Sequence, residues 1–201
     1  MGTNKLALPL GGVPLGSLAL RSALASELDH ILVVTRADDS LAWVDRSLFA
    51  TPVREKWSRV ACAESGLGQA HSLRCGLRAA AWQAAAIVVL LADQPFVTRS
   101  VIDELIFHYQ KSAHENRRLS YVAASHRGIA RPPVLLSDRL FSTLARLRGD
   151  EGARHLLRNG MPGQGMCVEY DDPYLFQDID TREDYERLKV LWVAFQGRDL
   201  L

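Results

Sequence analysis

The chain is poor in the residues that mark the easily recognised protein classes. Its three cysteines, Cys62, Cys75 and Cys167, stand far apart with no CxxC spacing. An odd number so spread excludes a cysteine-rich secreted scaffold and predicts reduced, mostly buried thiols in a cytoplasmic protein. The histidines show no HxxxH or His-Cys spacing, so no structural zinc site is expected. Long apolar runs are missing too: the longest, residues 84–92 (AAAIVVLLA), is too short to span a bilayer. The first residues carry no basic flank ahead of an apolar secretory segment. Nor is one sign of charge in excess. Lys and Arg total 24 against 23 Asp and Glu, a net charge of +1, which argues against a nucleic-acid partner. A small anionic substrate stays open, because a few focused cations suffice for it. There is no GxSxG elbow and no complete Walker loop.

What is present is a pattern. Apolar residues make up 48% of the 201, enough for one compact domain spanning 1–201 with a sizeable core. Short β-branched runs alternate with stretches of helical period, the signature of βαβ units and a mostly parallel sheet. Strands are predicted at residues 30–35 (HILVVT), 59–63, 87–92 (IVVLLA), 120–125 and 166–170. The run at Ile87 lacks in/out alternation, which predicts a central strand buried on both faces. Helices are predicted over residues 15–28 and 67–82, and after the N-cap Thr98, with Val101, Ile102, Leu105, Ile106 and Tyr109 on the apolar side. Ser137 and Asp150 are expected to cap two short helices split by Gly149. A last helix opens at Thr181 with Asp184 three residues on, a capping-box-like start, and buries Tyr185, Leu188, Leu191, Trp192 and Phe195.

Chemistry concentrates in a few places. Residues 90–98 (LLADQPFVT) put Asp93 just past the C-terminal end of a strand, where open α/β sheets bind ligands. A carboxylate there suits Mg²⁺ held against phosphate oxygens, or simply caps the turn. Residues 177–184 (QDIDTRED) supply Asp180 directly before the last helix, with Asp178 two residues back and pointing the same way in an extended chain. Such a carboxylate often only complements the helix dipole. Paired with Asp93 on one metal, it would clamp a triphosphate. Lys5 lies in a turn-rich opening, GTNKLALPLGG, and offers either a point charge for phosphates or a solvated surface amine. Gly68, Gln69 and Ser72 open a helix whose free N–H groups suit a base or phosphate, although a plain loop is the commoner reason for such glycines. Arg131 and Arg154, near turns, are plausible anion contacts.

Together these segments resemble the nucleotidyltransferases of molybdenum-cofactor maturation, the MobA/MocA-like group. The matching blocks are MGTNKLALPLGG at 1–12, GQAHSLRCGL at 68–77, VLLADQPFVT at 89–98, LRGDEGARHLL at 147–157 and DIDTREDY at 178–185. Within the group, KLALPLGG, PVREKW at 52–57 and ARPP at 130–133 look most like members serving bacterial purine catabolism beside xanthine dehydrogenase. The resemblance implies a three-layer αβα, Rossmann-like domain. It implies transfer of CMP from CTP, or less readily GMP from GTP, to the phosphate of molybdopterin, with release of pyrophosphate. It also implies Mg²⁺ or Mn²⁺ on Asp93 and Asp180 and phosphate contact by Lys5. Gly2, Gly68, Gln69 and Ser72 would line the nucleotide, and a molybdenum dehydrogenase would be the client.

The chain also departs from the group. The family opens with a strand and a glycine-rich loop, of which only Met1-Gly2 remains, so two unpaired sheet edges are expected. Its frequent Gly-His-Pro is Arg131-Pro132-Pro133 here, and the role of that His does not transfer. Two alternatives stay in view: a non-catalytic chaperone that binds molybdenum cofactor, and a nucleotidyltransferase acting on another phosphorylated substrate.

Overall fold

In a computed structural model the structure describes residues 4–80, 84–149, 157 and 164–196. Strand β3 (Ile31–Arg36) pairs in parallel with β4 (Trp57–Cys62). A second sheet runs in the order β5 (Ala86–Val89), β7 (Ile129–Ser137), β6 (Tyr121–His126), β8 (Gly165–Glu169). Within it β6 and β8 are parallel, while β7 runs antiparallel to both β5 and β6. A short hairpin, β1 (Pro9–Leu10) and β2 (Val13–Pro14), precedes both sheets in the chain. Gly11 and Gly12, both at positive φ, make its two-residue turn, as the twist of a tight hairpin demands.

The helices are α1 (Leu15–Ala25), α2 (Gln69–Ala80), α3 (Arg99–His114), the single turn α4 (Phe141–Leu144) and α5 (Arg182–Gln196). Alternation along the strands sorts them into layers. Ile87, Val89, Ala123, Val134 and Leu136 pack with Leu77 of α2 and Leu144 of α4. Their neighbours Ala86, Val88, Val122 and Leu135 pack on the other face with Ala23 of α1 and Ile102, Leu105 and Ile106 of α3. Successive side chains point to opposite faces, so one sheet carries helices on both sides. This is the expected three-layer αβα, nucleotidyltransferase-type α/β architecture.

Four local readings are corrected. First, residues 129–137 form a strand, although Pro132 and Pro133 argue against one. The register explains how: Ala123 faces Val134 while Ala124 faces Arg131, so the two prolines fall in a bulge that needs no ladder N–H from them. The two antiparallel pairings in the sheet come from this strand. Second, the strand at Ile87 is covered on both faces, yet all four residues of β5 are only half-buried. The cause is its edge. Among the described residues β5 pairs only with β7, and β3 only with β4, so the two sheets are not joined by hydrogen bonds.

Third, Cys62 and Cys75 are not free thiols but a disulfide, with Cα atoms 6.0 Å apart. Helix α2 lies over β3 and β4 and brings the two within bonding range. Cys167, expected to be buried, is the free cysteine and is exposed. Fourth, Ser137 precedes a 3-10 turn, Asp138–Leu140, but its buried hydroxyl makes no capping bond. Asp150, Arg154 and Gly2 lie outside the described residues. No helix among the described residues is long and apolar enough to cross a membrane.

Candidate active site

Three distant segments meet at one corner of the domain. Lys5 opens a 3-10 turn, Lys5–Ala7, whose start is fixed by the Asn4 side chain accepting from the Leu6 N–H. That turn leads into the β1–β2 hairpin, which α5 clamps. The Tyr185 hydroxyl donates to the Pro9 carbonyl, and a side chain at Gly11 would collide with the Trp192 indole. Asp93 follows β5 in a tight turn in which the Gln94 N–H donates to the Leu91 carbonyl. Phe96, 1% exposed, then anchors the chain in the core before the Thr98 cap starts α3. Asp180 sits at the entrance to α5. Ile179 beside it is fully buried. A reciprocal capping box holds the turn: Asp184 accepts from the Thr181 N–H at 2.8 Å, and Thr181 accepts from the Asp184 N–H at 3.1 Å.

The result is a three-point contact. The Lys5 ammonium donates to Asp93 Oδ2 at 2.8 Å and to Asp180 Oδ1 at 3.0 Å. Burial pulls the Lys5 pKa down, but the hydrogen bonds to Asp93 and Asp180, and their charges, more than offset it. The net direction is upward, so the amine is charged throughout the working range. The Asp93 side chain is 23% exposed and that of Asp180 76%, so one carboxylate forms the wall of the corner and the other its open rim.

The ammonium is itself a stand-in cation, showing that both carboxylates reach a single positive centre. Two carboxylates are a sparse donor set. Among the described residues no group of three or more His, Cys, Asp or Glu side chains could hold a metal. That suits a hard ion such as Mg²⁺ or Mn²⁺, which binds through one or two carboxylates and takes its remaining oxygens from water and phosphate.

Gly68 directly precedes α2, whose first turn carries Gln69 and Ser72. Gly68 adopts φ 118°, a conformation open to glycine and costly for other residues. Of the amides at this helix start, that of Ala70 donates to the Gly149 carbonyl at 3.0 Å and is already used. Among the described residues no hydrogen bond or ion pair joins 68–72 to Lys5, Asp93 or Asp180. Arg131 sits in β7 with a buried Nε that has no partner, rather than in a turn.

Sequence reasoning passed over Gln94. Its side chain is 1% exposed, and its amide Nε2 donates to Asp178 Oδ1 at 2.7 Å. The amide oxygen has no protein partner, an arrangement that costs about 1–3 kcal/mol when buried. A signal was available. Asp93 and Gln94 are adjacent, and Asp178 and Asp180 share one side of an extended segment, so two parallel cross-links were possible.

Comparison with known proteins places the fold in a family. The family model described as a MobA-like NTP transferase domain matches residues 1–165. A curated relative, the purine catabolism protein PucB of Bacillus subtilis strain 168, is 40% identical over 191 residues, covering 94% of this chain and 89% of the relative. Among solved structures, a homologue of Mycobacterium tuberculosis rv0371c from Mycobacterium sp. strain JC1 superposes with a TM-score of 0.76. It is 30% identical, with 96% of this chain and 90% of that one covered. A manganese complex of Rv0371C from M. tuberculosis H37Rv shares the fold, with a TM-score of 0.69 at 24% identity and coverage of 94% and 93%. The chain therefore belongs to the MobA-like NTP transferase family and is a nucleotidyltransferase.

Proposed function

We propose that the chain transfers CMP from CTP to the phosphate of molybdopterin, releasing pyrophosphate, and so supports maturation of a xanthine dehydrogenase in cytoplasmic purine catabolism. The observation that carries this reading is the convergence of Asp93 and Asp180 on one positive centre, the Lys5 ammonium. The likeness to a purine catabolism protein supports the biological setting.

In the reaction, an oxygen of the acceptor phosphate attacks the α-phosphorus of the triphosphate in line. The bond from that phosphorus to the bridging oxygen breaks, and pyrophosphate departs. Asp93 and Asp180 would hold Mg²⁺ or Mn²⁺, which would supply charge neutralisation on the phosphates. Asp93, backed by the buried Phe96, keeps its carboxylate fixed. Asp180, beside the Thr181 and Asp184 box, would present its own carboxylate to the same ion. Lys5 offers phosphate oxygens a further positive contact as a compact, mobile ammonium. Gly68, Gln69 and Ser72 line the nucleotide. No side chain forms a covalent intermediate, because positioning and charge suffice for this chemistry.

The test is pyrophosphate release from CTP or GTP with molybdopterin as acceptor, in the wild type and in Asp93→Asn. The metal site contributes several kcal/mol of charge stabilisation, and about 1.4 kcal/mol corresponds to tenfold in rate. The substitution is therefore expected to cut the CTP rate by at least about a hundredfold. Full dehydrogenase maturation by Asp93→Asn would instead favour a non-catalytic chaperone that binds the cofactor. Faster turnover with a sugar phosphate would redirect the acceptor.

A further inference from the structure

Two cross-links tie the acidic segments together, and they differ in kind. One is ionic and runs through Lys5 to Asp93 and Asp180. The other is the bond from Gln94 Nε2 to Asp178 Oδ1, one residue along from Asp93 and two from Asp180. The first cannot persist unchanged when both carboxylates turn to a metal ion, because the ammonium occupies the oxygens that ion needs. The second uses neither carboxylate. It is also the better shielded, since Gln94 is 1% exposed while Asp180 stands largely in solvent.

We infer that Gln94 is a positioning residue: by holding Asp178 it sets the separation of Asp93 and Asp180, and with it the affinity of the corner for a divalent ion. The backbone supports this. Gln94 is pinned at its own N–H by Leu91, and its carbonyl accepts from Val97. Ile179, fully buried between Asp178 and Asp180, fixes the opposite side of the facing segment. With Ile179 directed into the core, Asp178 and Asp180 both face the turn at 93–94. A bond to one of them therefore aims the other. The buried Oε1 of Gln94 has no partner, so the bond to Asp178 is made through the Nε2 side of the amide.

The inference rests on the metal-binding reading above, and the experiment separates the two. Binding of Mn²⁺ to the purified full chain is followed by electron paramagnetic resonance of the free ion, a readout independent of turnover. Groups that orient metal ligands typically contribute 10–100-fold to metal affinity, so Gln94→Leu is expected to weaken Mn²⁺ binding by at least about tenfold. Asp178→Leu should do the same. Asp178→Asn keeps an oxygen acceptor for the amide and should bind Mn²⁺ within about threefold of the wild type. In turnover, Gln94→Leu should need more metal for half-maximal rate and recover much of its rate when metal is raised. Combining Gln94→Leu with Asp178→Leu should weaken binding by less than the two separate losses together, as expected of partners in one bond.

Should Gln94→Leu fail to fold, the two Asp178 variants carry the test by themselves, with melting temperatures as the control. If Gln94→Leu binds Mn²⁺ like the wild type while Asp93→Asn does not, the positioning role is wrong and the metal site stands. If Asp178→Asn is as weak as Asp178→Leu, the charge of Asp178 matters and not the bond, and the inference is overturned. If the wild type and Asp93→Asn bind Mn²⁺ alike, both readings fall.

Discussion

Strands of similar composition behave differently on the two sides of the molecule. In β6 and β7, Val122, Ala123, Val134 and Leu136 are fully buried. In β3 and β5, the apolar residues Ile31, Val33, Ile87 and Val88 are only half-buried. Hydrophobicity does not separate these groups; neighbours do. Both β6 and β7 have a partner on each side, while among the described residues β3 and β5 each pair on one side only. A strand's burial is thus a property of its place in the sheet, and the β3–β4 pair leans on α2 and on the Cys62 to Cys75 link for its cohesion.

The largest test of this contrast is Leu136→Ala, in the fully paired region. A buried leucine truncated in a close-packed core costs about 2–5 kcal/mol, measured by denaturant unfolding. Next is the staple in the other region. The disulfide spans 13 residues, and loops of that size contribute about 2–3 kcal/mol by restricting the unfolded chain. Cys75→Ser should lose that amount, and thiol titration of the native protein should find one reactive thiol, Cys167, before reduction and three after it. Val88→Ala at the unpaired edge should cost about 1 kcal/mol, since its methyl groups are only partly withdrawn from water. If Val88→Ala proved as damaging as Leu136→Ala, the distinction between the two regions would be wrong.

The mildest effect concerns acid. Glu169 on β8 accepts from the Ser125 hydroxyl of β6, and that bond holds its pKa below the ordinary carboxylate value, more than burial raises it. A depressed folded pKa means that the stabilisation is present above the ordinary value of 4.5 and disappears as pH falls through the lower, folded one. Glu169→Gln should therefore flatten slightly the fall in melting temperature below that pH and leave neutral pH almost untouched.

Local signals were readable in the residues, and long-range ones were not. Thr98 and the pair Thr181 and Asp184 announce helix starts within four residues, and both caps form. The five predicted strands all form, within three residues at their ends. The two glycines at 11 and 12 carried a hairpin signal that reads equally as a flexible opening. The strand β7 stayed hidden because its prolines are tolerated only through a bulge set by β6. The disulfide stayed hidden because Cys75 meets Cys62 only once α2 has folded over β4. At the site, Asp93 and Asp180 stood out by position. Their meeting through Lys5, and the pairing of Gln94 with Asp178 across 84 residues, depends on how the core closes.

One separation carries a further consequence. Lys5 and Asp180 are 175 residues apart. On the ribosome, where a chain emerges from its N-terminus, the lysine and the first aspartate are exposed long before the second aspartate has been made. Contacts this distant form late, since the intervening loop must close first. A nascent chain that stops short of residue 180 therefore lacks the Lys5 to Asp180 contact, and the corner where Lys5, Asp93 and Asp180 meet cannot form in it.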